Sequence, residues 1–260
     1  MSQSVTGPVV SRAAIAGAAF DRIASRYDEL WTCSPVGRLQ REAVWRRLDK
    51  LFNHGDSLLD LGCGTGEDAV HFMGHGMSVR AIDASSEMVR IARGRGVDAS
   101  VLDIEQLNRV RGCFDGAISN FGAFNCVANL HAIRPVLARL IRPGGHLAVC
   151  ILGHFCLWET AWHFLQGEPR KACRRWRGEQ FSASLQIPVR FLSISNLAQA
   201  LLPEFTLRDW RGIGAFVPPS YVRRLPLCLL QALGTLDRFA AHLPLLRAVA
   251  DHRLIVFVRK

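Results

Sequence analysis

Three aspartates, Asp60, Asp83 and Asp103, close successive apolar runs, and the first is followed by glycines at 62, 64 and 66. Glycines behind a strand let the backbone turn sharply and approach a ligand with no Cβ in the way. The register here is G-x-G-x-G, whereas a dinucleotide fingerprint is G-x-G-x-x-G with the pyrophosphate resting on a helix N-terminus. Glu67 takes the place of the last fingerprint glycine. A carboxylate there repels a pyrophosphate and suits a ligand with a cationic centre or an amine, which disfavours NAD. Asp83 lies 17 residues beyond Gly66, where an acid can accept hydrogen bonds from both ribose hydroxyls or cap a helix over Ala84–Met88. The thioether of Met88 suits an adenine face and a packed core equally. Asp103 and Ile104 offer a carboxylate and a backbone amide to an adenine edge; alone, Asp103 would read as a turn residue. Three acids at the tips of three parallel strands make the stronger case, because such sheets bind ligands at that edge.

The elements that must hold these acids alternate in the rhythm of a parallel α/β sheet. Strands are expected over Ser57–Leu61, Met77–Ile82, Ala99–Leu102, Phe114–Ser119 and His146–Leu152. Helices are expected over Ala69–Met73, Glu87–Arg93 and Leu130–Ile141, with Pro135 as a kink. The rhythm breaks after Leu152, where a helix over Phe155–Gln166, a basic run and a β-rich stretch around Phe181–Ser195 follow. Two more strands, Phe205–Ile213 and His252–Arg259, flank an apolar helix over Leu225–Leu243. The fold expected is α/β, a doubly wound, mostly parallel seven-stranded sheet with helices on both faces and a cap inserted after the fifth strand. The organisation is an N-terminal helical segment over 1–50 that covers the cofactor site, a core over 51–152, a substrate cap over 153–203 and a closing unit over 204–260 whose strands and apolar helix complete the core sheet.

At this point the sequence resembles the class I S-adenosylmethionine (SAM) dependent methyltransferases. The matching motifs are Leu59-Asp-Leu-Gly-Cys-Gly-Thr-Gly66, Ile82-Asp-Ala-Ser-Ser-Glu-Met88, Leu102-Asp-Ile104, Phe114-Asp-Gly-Ala-Ile-Ser-Asn120 and Leu140-Ile-Arg-Pro-Gly-Gly145. Phe20-Asp-Arg-Ile-Ala-Ser-Arg-Tyr-Asp28 is similar to the opening helix of the small-molecule branch that includes the quinone-biosynthesis enzymes. The resemblance covers residues 20–150 well and says little about 153–250. It implies SAM as cofactor, with Asp60, Gly62, Gly64 and Gly66 around the methionine portion and Asp83 with Ala84 at the ribose. It places Met88 beside the adenine and Asp103 with Ile104 at its amino group. Ser119, Asn120 and Phe121 fall beside the methionine and the transferred methyl, and Tyr27 closes over that end. Two departures stand out: Arg109–Gly112 is basic where the family is often acid-rich, and the 153–203 insert carries no substrate motif of the family.

Methyl transfer from a sulfonium is an in-line displacement, so orientation and desolvation supply most of the catalysis. A general base is needed only if the acceptor arrives protonated, and His154, just past the fifth strand, is the best-placed candidate. No carboxylate/His set suggests a divalent-metal site, and no metal is expected. The eight cysteines show no C-x-x-C pair and read as reduced thiols of a cytoplasmic protein. The longest uncharged apolar stretches, Gly144–Trp158 and Leu225–Leu236, fall short of the roughly 20 residues that span a bilayer. The apolar patch Ala13–Phe20 runs into charged residues, and Ile15, Ala19, Ile23, Tyr27 and Leu30 follow helical spacing, so it reads as an amphipathic helix.

Charge is uneven along the chain. Residues 1–150 carry 17 Lys and Arg against 15 Asp and Glu, and residues 151–260 carry 15 against 7. A basic half suits an anionic membrane, nucleic acid, an acidic substrate or only a solvated surface. Nucleic acid is the weaker reading: Asn120-Phe-Gly-Ala-Phe lacks the prolines of a base-methylating motif. The aromatic cap residues Phe155, Trp158, Trp162, Phe164 and Trp176 build a core or face a hydrophobic, aromatic or lipid-like acceptor. Arg170–Arg177, Arg223 and Arg224 then offer peripheral contact with an anionic membrane. The resulting function is methylation of an O, C or N atom of a small hydrophobic molecule. The alternatives are C-methylation of a polyprenyl quinone or lipid at the membrane, and a SAM-binding partner without catalysis.

Overall fold

The computed structural model describes residues 12–181, 185–220, 222 and 225–260, so Arg223 and Arg224 lie outside the described residues. The N-terminal helices are α1 (Arg12–Asp21), α2 (Ala24–Tyr27) and α3 (Pro35–Leu48). Ser34 starts α3, with its hydroxyl accepting from the Gly37 amide at 3.0 Å and Pro35 supplying a preset first turn. The core then runs β1 (Ser57–Leu61), α4 (Glu67–Gly74), β2 (Ser78–Asp83), α5 (Ser86–Gly94), β3 (Asp98–Val101), β4 (Phe114–Ser119), α6 (Leu130–Leu140) and β5 (Ile141–Leu152). Next come α7 (Leu157–Leu165), α8 (Pro169–Ala172), β6 (Glu179–Phe181), β7 (Pro188–Arg190), α9 (Ile194–Leu201), β8 (Phe205–Ile213), α10 (Leu227–Ala240), α11 (Pro244–Ala248) and β9 (His252–Arg259).

The main sheet has seven strands in the order β3-β2-β1-β4-β5-β9-β8, with β9 antiparallel to both of its neighbours. Strand order reverses between β1 and β4, the crevice where open α/β sheets bind ligands. The central strands are buried on both faces: Leu58, Leu59 and Leu61 on β1 and Leu147–Ile151 on β5 are all at or within 1% of full burial. That two-sided burial explains why these strands read as continuous apolar runs rather than alternating ones.

The expected seven-stranded, mostly parallel sheet is present. Between Leu152 and β8 the chain does three different things. Helices α7 and α8 pack on each other. Strands β6 and β7 form a separate hairpin-like pair. Helix α9 packs against α6 and β8 and buries Leu197, Ala200 and Leu201 in the core under the sheet. Of the expected β-rich stretch around Phe181–Ser195, residues 182–184 lie outside the described residues, Pro188–Arg190 is strand and α9 begins at Ile194. Ser193 caps α9, accepting from the Asn196 amide at 3.1 Å. The expected helix Leu225–Leu243 is present as the single helix α10, and Pro244 then starts a further short helix, α11. Among the described residues no helix is long and apolar enough to cross a membrane.

Candidate functional site

A cavity of about 190 Å³ opens at the switch point, above the tips of β1, β2 and β4. Its polar side is built from the glycine loop and the strand ends. Gly62 (φ +80°) and Gly64 (φ +54°) hold left-handed backbone that favours glycine. A Cβ on Gly62 would meet that of Ala123 at 2.4 Å, whereas Gly64 has nothing within 4 Å and leaves its side of the cavity open.

Asp83 lies on the wall with both oxygens engaged: Oδ2 accepts from the Gly64 amide and Oδ1 from the Ser85 amide, each at 2.8 Å. One carboxylate thus ties the glycine loop to the start of α5. Burial pushes its pKa up, against the pull of those amides. Asp103 is also on the wall; its Oδ1 accepts from the Glu105 amide at 2.9 Å, starting the short 3-10 turn that carries Ile104. Burial raises its pKa as well.

Tyr27, Ala84, Met88, Asn120 and Phe121 line the same cavity. Asn120 is 7% exposed, and neither its Oδ1 nor its Nδ2 finds a partner within the protein. A buried amide without hydrogen bonds costs about 1–3 kcal/mol, so a ligand that pairs with it gains accordingly. Phe121 holds φ +53°, an uncommon conformation for a bulky residue and a source of local strain. Its ring is covered by the Arg41 guanidinium at 4.9 Å and packs edge-on against His252 at 5.4 Å. Arg41 is held in turn by Asp68 at 2.6 Å, and the Trp45 indole donates to the same carboxylate at 2.7 Å.

Four expected residues do not reach the cavity. Asp60 is buried behind the wall with Oδ2 unpartnered; burial, with Asp68 and Asp83 nearby, pushes its pKa well up. Ser119 spends its hydroxyl on the Leu61 carbonyl at 2.7 Å. Gly66 starts α4, and its missing side chain makes room for Ala92 and Val97, which a Cβ would meet at 2.9 and 3.1 Å. His154 is exposed and off the wall, its pKa lowered by partial burial and by Arg253. Glu67 also stays off this wall and pairs with Arg95 at 3.0 Å. None of Phe155, Trp158, Trp162, Phe164 and Trp176 lines the cavity either; Phe155 stacks on Trp176, and the Trp158 indole donates to the Phe216 carbonyl.

Sequence reasoning put the N-terminal segment over the site but missed which residues close the cavity. Ala16, Gly17 and Phe20 on α1 form one wall, and Leu185, Ile187 and Val189 from the insert another, with Ile187 packed on Ala16 and Ala19. Asp21 latches α1 down, accepting from the Ser85 hydroxyl at 2.6 Å and the Glu87 amide at 2.9 Å. Asp28 accepts from the Thr65 hydroxyl at 2.7 Å and pairs with Arg95. Both latches lie inside the opening motif Phe20–Asp28, so the covering segment was legible and the contacts that hold it down were not. Cys126 also faces the cavity, with burial pushing its thiol up to about 11, so it stays protonated and is a poor nucleophile. Among the described residues, no Lys, Arg or His lines the main cavity.

Comparison with known proteins follows the same core. A family model described as a methyltransferase domain matches residues 58–145. The chain is 32% identical over 204 residues to a malonyl-[acyl-carrier protein] O-methyltransferase of Pectobacterium atrosepticum, covering 76% of this chain and 77% of that protein. It is 34% identical over 134 residues to a demethylmenaquinone methyltransferase of Mycolicibacterium vanbaalenii, covering 50% of this chain and 57% of that protein. The match thus spans little more than half the length of the demethylmenaquinone relative. In fold, the chain is similar to a geranyl diphosphate C-methyltransferase of Streptomyces coelicolor, with TM-score 0.58 and 17% identity over 86% of this chain and 80% of that one. A SAM-dependent methyltransferase of Mesorhizobium loti gives TM-score 0.55 and 18% identity over 84% and 98%.

Proposed function

The chain belongs to the class I SAM-dependent methyltransferases, and from that membership we propose that it methylates a small, neutral, hydrophobic or lipid-like acceptor. SAM, when bound, supplies a sulfonium whose methyl is open to in-line displacement. The residues present fit it. Asp83 would accept from the ribose hydroxyls, Asp103 and the Ile104 amide would read the adenine, and Met88 would pack on its face. Gly62, Gly64, Asn120 and Tyr27 would surround the amino-acid end, where the bare Asn120 amide has hydrogen bonds to give and take. Burial makes the charges of Asp60 and Asp83 costly, so a cationic ligand nearby eases them and a pyrophosphate would add to the cost.

The single observation that carries the acceptor class is the composition of the remaining wall. Phe20, Val127, Leu152, Leu185, Ile187 and Val189 make that lobe apolar, and no cation stands among them. An acceptor with a free carboxylate would enter a space holding Asp83 and Asp103 and, among the described residues, no cationic side chain. Arg41 borders only the smaller adjoining recess and is already held by Asp68. A polyprenyl quinone ring fits this description, and a malonyl group does not. Apolar walls of this kind align and desolvate the nucleophile, which is what the displacement needs. Eight free thiols suit work in the cytoplasm.

The test is transfer of labelled methyl from SAM in a cell extract separated into organic and aqueous phases. Label in the organic phase is expected; label only in water-soluble acids overturns the acceptor class, and SAM binding with no incorporation favours a scaffold. Two substitutions sharpen it. Since His154 stands off the wall, His154→Ala is expected to leave turnover within about twofold; a loss of about 100-fold would restore it as a base. Gly17 lies against the Ala84 carbonyl, which a Cβ would meet at 2.5 Å. Gly17→Ala is expected to lift α1 and weaken SAM binding by about 1–3 kcal/mol, read by calorimetry.

A further inference from the structure

The expected cationic contact through Arg170–Arg177 is largely spent inside the protein. Arg174 and Arg175 both pair with Glu159, Arg175 also pairs with Asp251, and Lys171 pairs with Glu168. Cations gather elsewhere, in a cleft of about 210 Å³ between α3, β8 and α10 lined by Arg46, Lys50, Arg211 and Arg238, with Arg47 and Asp237 on the same wall. Among the described residues, only Arg46 of these four has an ion pair, a 3.8 Å contact to Glu42. The acids close by are occupied: Asp209 pairs with Arg47, and Asp237 accepts the backbone amides of Ala215, Phe216 and Val217. Burial first, and then the neighbouring Arg238, lower the pKa of Arg46, with Glu42 pulling the other way.

The same helix α10 carries an apolar stripe on its solvent side. Leu229, Ala232, Leu236 and Phe239 follow the i, i+3, i+7, i+10 spacing of one helix face, and all are exposed, Phe239 by 67%. Leu243 and Leu245 continue the apolar surface into α11, Leu245 being 84% exposed. Solvent does not favour a run of large apolar side chains at helical spacing, and an apolar stripe flanked by cations is the make-up of a helix that lies in a membrane interface. A cationic cleft beside it supplies counter-charge to phosphate headgroups.

We propose that α10 and α11 form the face by which this protein docks on an anionic lipid surface, with Leu236, Phe239 and Leu245 entering the interface and Arg46, Lys50, Arg211 and Arg238 holding headgroup phosphates. The inference rests on the lipid-like acceptor proposed above.

Flotation of the full chain with vesicles tests it without turnover. Binding is expected to phosphatidylcholine vesicles containing phosphatidylglycerol and not to phosphatidylcholine alone. Arg46→Gln/Arg238→Gln is expected to lower partitioning about 30-fold, the effect of two cations near an anionic surface. Leu236→Gln/Phe239→Gln is expected to lower it at least about tenfold, and both variants should keep wild-type SAM affinity and circular dichroism. Equal flotation with both vesicles, or with neither, overturns the proposal, as does an unchanged arginine variant. Saturable binding of inorganic phosphate without flotation would make the cleft a small-anion site and equally overturn it. A protein that floats but methylates nothing in the organic phase would sink the acceptor reading and leave the docking face standing.

Discussion

Asp83→Ala is expected to weaken SAM binding by about 2–3 kcal/mol, roughly 30- to 150-fold in Kd by calorimetry. The carboxylate is placed to give the ribose a charge-assisted acceptor, and it also fixes the loop that cradles the rest of the ligand. Its two oxygens hold the Gly64 and Ser85 amides, so alanine loses the ribose contact and frees the turn at once. Asp83→Asn keeps the shape and one acceptor oxygen, and should fall between the two. The paired result separates charge from scaffolding: equal losses in both variants would mean that charge alone matters. Unchanged binding in Asp83→Ala would remove the residue from the site and, with it, the orientation of the ligand in the crevice.

Asp83 was legible because parallel α/β topology leaves so little freedom at a strand tip. Once β2 is in register with β1, Asp83 must arrive at the same edge as the glycine loop. The same logic reached Asp103, Asn120 and Phe121. Asp60 and Ser119, at the ends of the central strands β1 and β4, are instead buried off the cavity wall. Spacing gives height along a strand and leaves the direction of the side chain open. His154 failed for a different reason. Strand β5 ends at Leu152, Gly153 leaves room for the Arg253 guanidinium, which a Cβ would meet at 1.0 Å, and the chain bends at His154. The walls contributed by α1 and the insert are long-range contacts between apolar residues, and no local pattern announces which apolar residue meets which. The basic run misled because a sequence shows its arginines and hides the carboxylates they meet, which come from α7 and from the start of β9.

Those buried partners lead to the second large effect, on stability. Arg175→Met is expected to cost about 3 kcal/mol in urea unfolding and to lower Tm by roughly 10 °C. Arg175 is 4% exposed and joins Glu159, 1% exposed, to Asp251, 3% exposed, at 2.9 and 2.6 Å. It therefore ties the insert to the end of the main sheet. Removing it strands two carboxylates in the interior, where Glu159 keeps only Arg174 and Asp251 keeps Gln40 and His252. Burial alone would raise both carboxyl pKa values. In Glu159 the hydrogen bond from Arg174 and the charge of Arg175 overcome it, and in Asp251 the charges of His252 and Arg175 do, holding both below the ordinary range. Groups with depressed folded pKa values stabilise the fold above their unfolded values near 4, and that contribution is lost as pH falls through the folded ones. The gap between wild type and Arg175→Met should accordingly be widest near neutrality and narrow steadily below about pH 4. A gap under about 1 kcal/mol at pH 7, or one that does not shrink with acid, would mean that the insert is held by packing and that the ion network adds little.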